Sequence, residues 1–365
     1  MAEEIKREER EVRKSTRRRN NNDDHAKAKS WLKEWVDALV FAAIAALIIR
    51  TFLFEAYRIP SPSMEKTLLT GDFLVVSKIS YGPRTPMVLA IPFTNMYLPG
   101  LTLPWTRLPG FQDVERNDVV VFNYPIDIAP ISAKTNYIKR CVAIPGDTLA
   151  IVDKQVYING EAADQFAGIQ KTYIVTVQDR VRLSPAKVKA AGGTLLGSHT
   201  PNSYRVNMTA GTAKKIQGWS EVTDVEPFVL PENFNEFARV NFSFASGFNN
   251  HDHLPSMVIP FEGQEVTLTP GNWHIYENII TRYERNTAER NGDTFVINGE
   301  VTDTYTIKKD YYFMMGDNRD DSEDSRFWGF VPEDHIVGKA GIIYFSWDAE
   351  QWAPRFNRIL NFIHD

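Results

Sequence analysis

The sequence holds a single cysteine, Cys141, among 365 residues. An intramolecular disulfide is therefore impossible, and cysteine usage says nothing about compartment. A zinc site built on thiolates is not expected either. Positive charge is not in excess: 41 Lys and Arg stand against 46 Asp and Glu, a formal net charge of -5. That balance argues against general nucleic-acid binding, which needs a basic face. Histidine is scarce, with seven residues. The close pair His251 and His253 follows Asn249-Asn250 and reads as exposed loop, so no metal and no cofactor are expected. Long apolar runs are missing after residue 54, and so is any long helical period until the chain's end.

What is present begins with a charged tail. Residues 1–30 are dense in Glu, Lys and Arg, include Arg17-Arg18-Arg19, and offer almost nothing to a core. Residues 31–54 are different. From Trp35 to Phe54 the chain is apolar for about 20 residues, which as a helix spans the roughly 30 Å of a bilayer's hydrocarbon. Asp37 and Arg50 lie near its ends, and Trp31 and Trp35 suit the interface. The basic cluster before it predicts a cytoplasmic N-terminus and an external body. A cleaved signal peptide is disfavoured, because Arg50-Thr51-Phe52-Leu53-Phe54-Glu55 is bulky and charged where small residues would be cut.

Beyond the span the period shortens. Phe73–Ile79, Val119–Tyr124 and Tyr137–Ile144 are short runs rich in β-branched and aromatic residues, bounded by Pro, Gly, Asn or Asp. The body is expected to be mainly β. Residues 83–113 carry six prolines and many apolar side chains; this loop either packs on the body or dips into lipid. Tyr157-Ile158-Asn159-Gly160 and Val296-Ile297-Asn298-Gly299 each read as a strand closed by a type I′ hairpin turn. The region 162–308 reads as an inserted β-rich domain between core segments 55–161 and 309–347. The tail 348–365 is amphipathic, and Trp352 to Ile363 suits a short helix.

Chemistry concentrates in three stretches. Ser61-Pro62-Ser63 is a stiff, turn-prone segment just past the span. Serine needs a base, and no histidine stands in a telling context. Lysine serves if burial lowers its pKa. Lys139 sits inside the apolar strand Tyr137–Val142, sharing a face with Cys141 while Ile138 and Arg140 face the other way. The third stretch, Gly316–Gly329, alternates Asp, Arg and Ser before returning to core character at Trp328.

Together these stretches resemble the type I bacterial signal peptidases, membrane-bound Ser–Lys serine proteases. The resemblance rests on Ile59-Pro60-Ser61-Pro62-Ser63-Met64, Arg116-Asn117-Asp118-Val119, Tyr137-Ile138-Lys139-Arg140 with Pro145-Gly146-Asp147, and Gly316-Asp317-Asn318-Arg319 through Asp324-Ser325-Arg326. It covers 35–82, 114–160 and 309–346. It implies a membrane-anchored antiparallel β-sheet or barrel core, with Ser63 as nucleophile and Lys139 as general base. Ser61 and the Ser63 amide are implied as the oxyanion hole. Ser322 is implied to orient Lys139, with Asp317 pairing Arg140 and Asp324 pairing Arg326. Tyr57, Ile59, Pro60, Tyr137 and Ile138 are implied to line an extended substrate. The implied partners are signal peptides of exported preproteins, membrane lipid and the nearby export machinery. The implied location is a bacterial cytoplasmic membrane, with the catalytic domain on the outer face.

Two positions depart from the family pattern. Pro62 stands where Gly or another small residue is common, and Lys66 where proline is common. A self-cleaving Ser–Lys peptidase of the SOS-repressor type should carry a DNA-binding helical domain, which this N-terminus does not suggest. A non-enzymatic membrane-anchored β module is the reading from another class.

Overall fold

The computed structural model describes residues 33–90, 97–163 and 166–363. Two compact units divide the chain, up to Leu53 and from Phe54 onward. In the first, Lys33–Leu53 is a 21-residue helix with mean hydropathy 2.2 over its most apolar window, and none of that window is buried. Its last five residues, Ile49–Leu53, wind as a π-helix. An apolar helix whose side chains are not buried within its own unit calls for an apolar solvent, which agrees with an anchor.

The second unit is built on a curled antiparallel sheet, mainly β as expected. Its principal strands are β1 (Phe54–Arg58), β2 (Asp72–Ser77), β3 (Val119–Asn123), β4 (Asn136–Ala143), β5 (Tyr311–Met315) and β6 (Ile336–Asp348). They lie in the order β1-β2-β6-β3-β4-β5. β3 is buried along its whole length. That explains why its sequence is a continuous Val-Val-Val-Phe run instead of an alternation: both faces of this central strand are covered. One face packs Val119 and Val121 with Ile59, Met64, Leu68, Leu74 and Ile343. The other packs Val120 and Phe122 with Cys141, Met314 and Trp328.

Between β4 and β5 the chain builds two further cores. Residues 170–227 form a four-stranded sheet with helices Pro185–Ala191 and Ala210–Gln217 closing over Val175, Val206, Met208 and Ile216. The stretch from Phe244 to Ile307 instead shares one core with Leu149, Ile151 and Phe313 next to the main sheet. Both Asn-Gly turns have φ > 0 at each residue: 54° and 85° at Asn159-Gly160, 52° and 87° at Asn298-Gly299. This is the type I′ geometry that the dipeptide favours.

Two sequence expectations are corrected. Trp352 to Ile363 is not a helix. Ala353–Pro354 and Asn361–Phe362 add short strands to β6, with a single 3₁₀ turn at Phe356–Arg358 between them. Trp352 and Leu360 have φ of 49° and 63°, which no helix tolerates. Arg358 reaches inward to Asp72 at 2.6 Å, so the segment is tied down by ion pairing and strand addition. The second correction concerns His251, whose side chain is only 12% exposed. In the proline-rich loop, Arg84 and Arg107 bond to the backbone of Asp334, Glu333 and Ile336, and Met87 is buried. Pro92, Phe93 and Met96 lie outside the described residues.

Candidate active site

Ser63 follows β1 in a tight turn. The Pro62 carbonyl accepts from the Glu65 amide at 2.8 Å and from Asn318 Nδ2 at 3.2 Å. Met64 and Leu68 plug the turn into the core beneath it. Pro62 supplies a fixed φ and an acceptor, and it needs no donor here. The Ser63 amide donates to no acceptor among the described residues, which leaves it for an incoming oxygen. Lys66 has φ 77°, a conformation closed to proline.

Lys139 lies on β4 opposite Val120. Its Nζ donates to Ser63 Oγ at 2.6 Å, and both residues are buried, at 4% and 7% exposure. Burial lowers the Lys139 pKa to about 8; Asp324, Glu323 and Asp317 pull it upward and Arg326 pushes it down. The Tyr137 ring, its centroid 5.5 Å from Nζ, covers the amine. An amine with that pKa is readily neutral, and the hydroxyl proton can then run the opposite way along the same contact. Ser61 Oγ lies 3.4 Å from Ser63 Oγ, on the exposed side.

The loop after β5 closes the site. The Asn318 amide donates to the Ser63 carbonyl at 3.0 Å. Asp317 takes Arg140 Nε and Nη2 at 2.8 Å each and Thr67 Oγ1 at 2.5 Å. Asp324 takes Arg326 Nε at 2.8 Å, the Gly316 amide at 3.0 Å and Ser322 Oγ at 2.8 Å. Burial raises the Asp324 pKa, and Arg326 and these donors more than offset it, leaving it below the carboxylate norm. Among the described residues Ser322 Oγ has no bond to Lys139; it donates to Asp324, whose charge pulls the Lys139 pKa upward. Arg116 pairs with Asp147, tying two further motif stretches together.

Tyr57 and Ile138 flank the core that packs on Val119 and Val121, Ile59 is inside it, and Pro60 is exposed. β1 is the edge strand of the sheet. β5 pairs with β4 only from Arg140 onward, so Asn136–Lys139 keeps one edge without a strand neighbour. Three contributors were given no role at the sequence level, although Gly316 and Asn318 stand within the Gly316-Asp317-Asn318-Arg319 motif. Gly316 is one: a Cβ there would lie 2.5 Å from the Ser63 carbonyl and 2.3 Å from Ser322 Oγ. Thr67 and Asn318 are the others, and their long-range contacts reveal what they do.

A buried serine–lysine pair on an antiparallel sheet, closed by a loop rich in ion pairs, is the architecture of a serine hydrolase. Comparison with known proteins is specific. The family model for signal peptidase, peptidase S26, matches residues 32–237 and 231–347. Signal peptidase I of Buchnera aphidicola (subspecies Acyrthosiphon pisum) is 29% identical over 322 residues, 87% of this chain and 77% of that protein. Signal peptidase I of Haemophilus influenzae is 27% identical, covering 96% and 82%; that of Aquifex aeolicus is 27% identical, covering 88% of each. The chain belongs to the signal peptidase family, peptidase S26. It is a serine endopeptidase of that type.

Proposed function

We propose that this enzyme removes signal peptides from exported preproteins at the outer face of a bacterial cytoplasmic membrane. Ser63 is the nucleophile and Lys139 the general base. The 2.6 Å contact between a buried serine hydroxyl and a buried amine of lowered pKa carries the reading. The substrate lies extended against β1 and the unpaired edge of Asn136–Lys139, as an added strand. Tyr57, Ile59, Pro60, Tyr137 and Ile138 shape small pockets that admit alanine, as an Ala-x-Ala-like cleavage site requires.

Neutral Lys139 takes the Ser63 proton as Oγ attacks the scissile carbonyl. The oxyanion rests on the Ser63 amide and the Ser61 hydroxyl. Collapse of the tetrahedral intermediate breaks the C–N bond, Lys139 returns its proton to the leaving amine, and an ester remains on Ser63. Water, deprotonated by Lys139, releases the acyl group. Asp317–Arg140 and Asp324–Arg326 hold the loop and strand that present these groups, and Ser322 positions Asp324 next to Lys139. The N-terminal helix keeps the enzyme in the membrane, where signal peptides are held, within reach of the export machinery and lipid. Its basic flank leaves the N-terminus in the cytoplasm.

The test is cleavage of a preprotein by the detergent-solubilised enzyme. Ser63→Ala and Lys139→Met should each abolish processing while the protein stays folded. Full activity in either variant would sink the dyad.

A further inference from the structure

One cluster of ionisable groups takes no part in that chemistry. His251, in the inserted region, faces Asp320 of the loop 316–326, with the Phe327 ring stacked on it at 5.7 Å. Its Nδ1 is held by Glu236 Oε2 at 2.5 Å. A carboxylate on Nδ1 takes that nitrogen's proton in hydrogen bonding and turns the Nε2 lone pair outward, the arrangement that prepares histidine to bind metal. Nε2 faces Asp252 Oδ1 at 3.2 Å and Asp320 Oδ1 at 3.5 Å. Four-coordinate zinc with bonds of ~2.0 Å puts neighbouring ligand atoms about 3.3 Å apart. The two distances bracket that edge, and the three atoms lie within 4.8 Å of one another.

A second observation is independent of the spacing. Asp252 is fully buried, yet its Oδ1 has no hydrogen-bond partner among the described residues, and neither does His251 Nε2. The other oxygen, Oδ2, is held by the Leu230 amide at 2.9 Å, so the orphaned Oδ1 is fixed in its direction toward His251. Buried polar atoms without partners are costly. Three carboxylates, Glu236, Asp252 and Asp320, meet here. Against them stands Lys154, 2.7 Å from Asp320 Oδ2 and 3.6 Å from Asp252 Oδ2. Lys154 also touches Asp320 Oδ1 at 2.8 Å. Arg326 lies close by but is spent on Asp324. The Thr172 amide holds Asp320 Oδ2 at 2.6 Å. Asp252 is thus gripped through Oδ2 with Oδ1 unpartnered, while Asp320 Oδ1 faces the same histidine nitrogen and also accepts from Lys154.

We propose that His251 Nε2, Asp252 Oδ1 and Asp320 Oδ1 form a binding site for a divalent metal ion of the zinc class. The ion joins the inserted region to the loop that carries Asp317 and Asp324. His251 and Asp320 are slightly exposed, at 12% and 11%, so water can complete the shell and the ion can enter. The competing occupant is a proton on Nε2, which would make the cluster a plain ion-pair network. The site shares no residue with Ser63 and Lys139, and its failure would leave the dyad untouched.

The test uses the full-length enzyme in detergent, stripped with a chelator and dialysed. Titration with Zn²⁺ should show one equivalent bound and a melting temperature raised by about 5 °C at saturation. Co²⁺ should give the intense visible bands of a four-coordinate ion. His251→Gln should weaken both ions at least tenfold while still melting cooperatively. Lys154→Met, which removes the rival ammonium, should tighten Zn²⁺ binding. Absence of cobalt bands in the wild type overturns the proposal by itself. Equal uptake by wild type and His251→Gln overturns it as well, since the metal would then be held elsewhere.

Discussion

At the scale of single residues, Lys139 decides most. Its pKa falls from the ordinary 10.5 to about 8 because burial removes water from the ammonium. The sign of the linkage follows. Between about pH 8 and 10.5 the unfolded chain carries a proton that the folded chain has lost. Stability conferred at this residue therefore rises with pH across that window, and below pH 8 the folded state bears a penalty on the order of 3 kcal/mol. Two outcomes are expected. Plotted against pH, kcat/KM should climb on its acid limb with an apparent pKa near 8. Lys139→Met should be inactive yet melt no lower than wild type at pH 7, because a buried charge has been replaced by an apolar chain of similar length. A large drop in melting temperature would contradict this account of burial.

Ser61 belongs to the same scale. Its hydroxyl is exposed and makes little of the fold, so Ser61→Ala should leave stability within about 0.5 kcal/mol. It should slow cleavage by roughly 10²–10³, the usual effect of losing one oxyanion donor. A single-turnover assay on a preprotein separates the two effects. Lys66, at φ 77°, sits in a conformation that glycine adopts freely. Lys66→Gly should therefore be neutral or stabilising by up to about 1 kcal/mol in thermal unfolding.

At the scale of elements, the loop after β5 is held to the Ser63 turn by contacts that leave no space. Gly316 is there because a methyl group would overlap the Ser63 carbonyl and the Ser322 side chain. Gly316→Ala should cost both stability and activity. Asp317 is fully buried against Arg140, itself 2% exposed. Removing one partner of such a pair strands a buried charge, so Asp317→Ala should destabilise by about 3–5 kcal/mol. Chemical denaturation of Asp317→Ala, Arg140→Met and the double variant measures this. The double variant should recover much of the loss, because it leaves no charge unpaired. The strand runs and the Asn-Gly turns around this loop were legible in the sequence, since β-branched alternation and turn residues act locally. The end of the chain was not. Its apolar spacing suited a helix, but strand pairing to β6 and the Arg358–Asp72 contact prevail there.

At the scale of the whole molecule, the division at Leu53 separates an apolar helix from a body with its own cores. The body should fold without the helix. A chain beginning at Phe54 is expected to melt cooperatively within a few degrees of the full-length enzyme. Cleavage of a short soluble peptide should survive in it, while processing of a membrane-inserted preprotein should fall. The region 162–308, expected as one β-rich insertion, holds a small sheet-and-helix core at 170–227 and a stretch that shares a core with Leu149, Ile151 and Phe313. Sequence pattern shows that a segment buries a face; it does not show which neighbour covers it.

The sequence by itself determined the apolar span and the β character of the body, and singled out Ser61-Pro62-Ser63, Lys139 and the charged loop as candidates, with the roles of Ser63 and Lys139 implied by the family resemblance. The span and the β character rest on composition and periodicity, which act over a few residues. Only tertiary structure decided that Lys139 meets Ser63 across 76 positions, that Thr67 and Asn318 close the site from distant parts of the chain, and that His251 packs against Asp320. Burial, desolvation and pairing of charges depend on what lies across the gap in space. No window along the chain contains that neighbour.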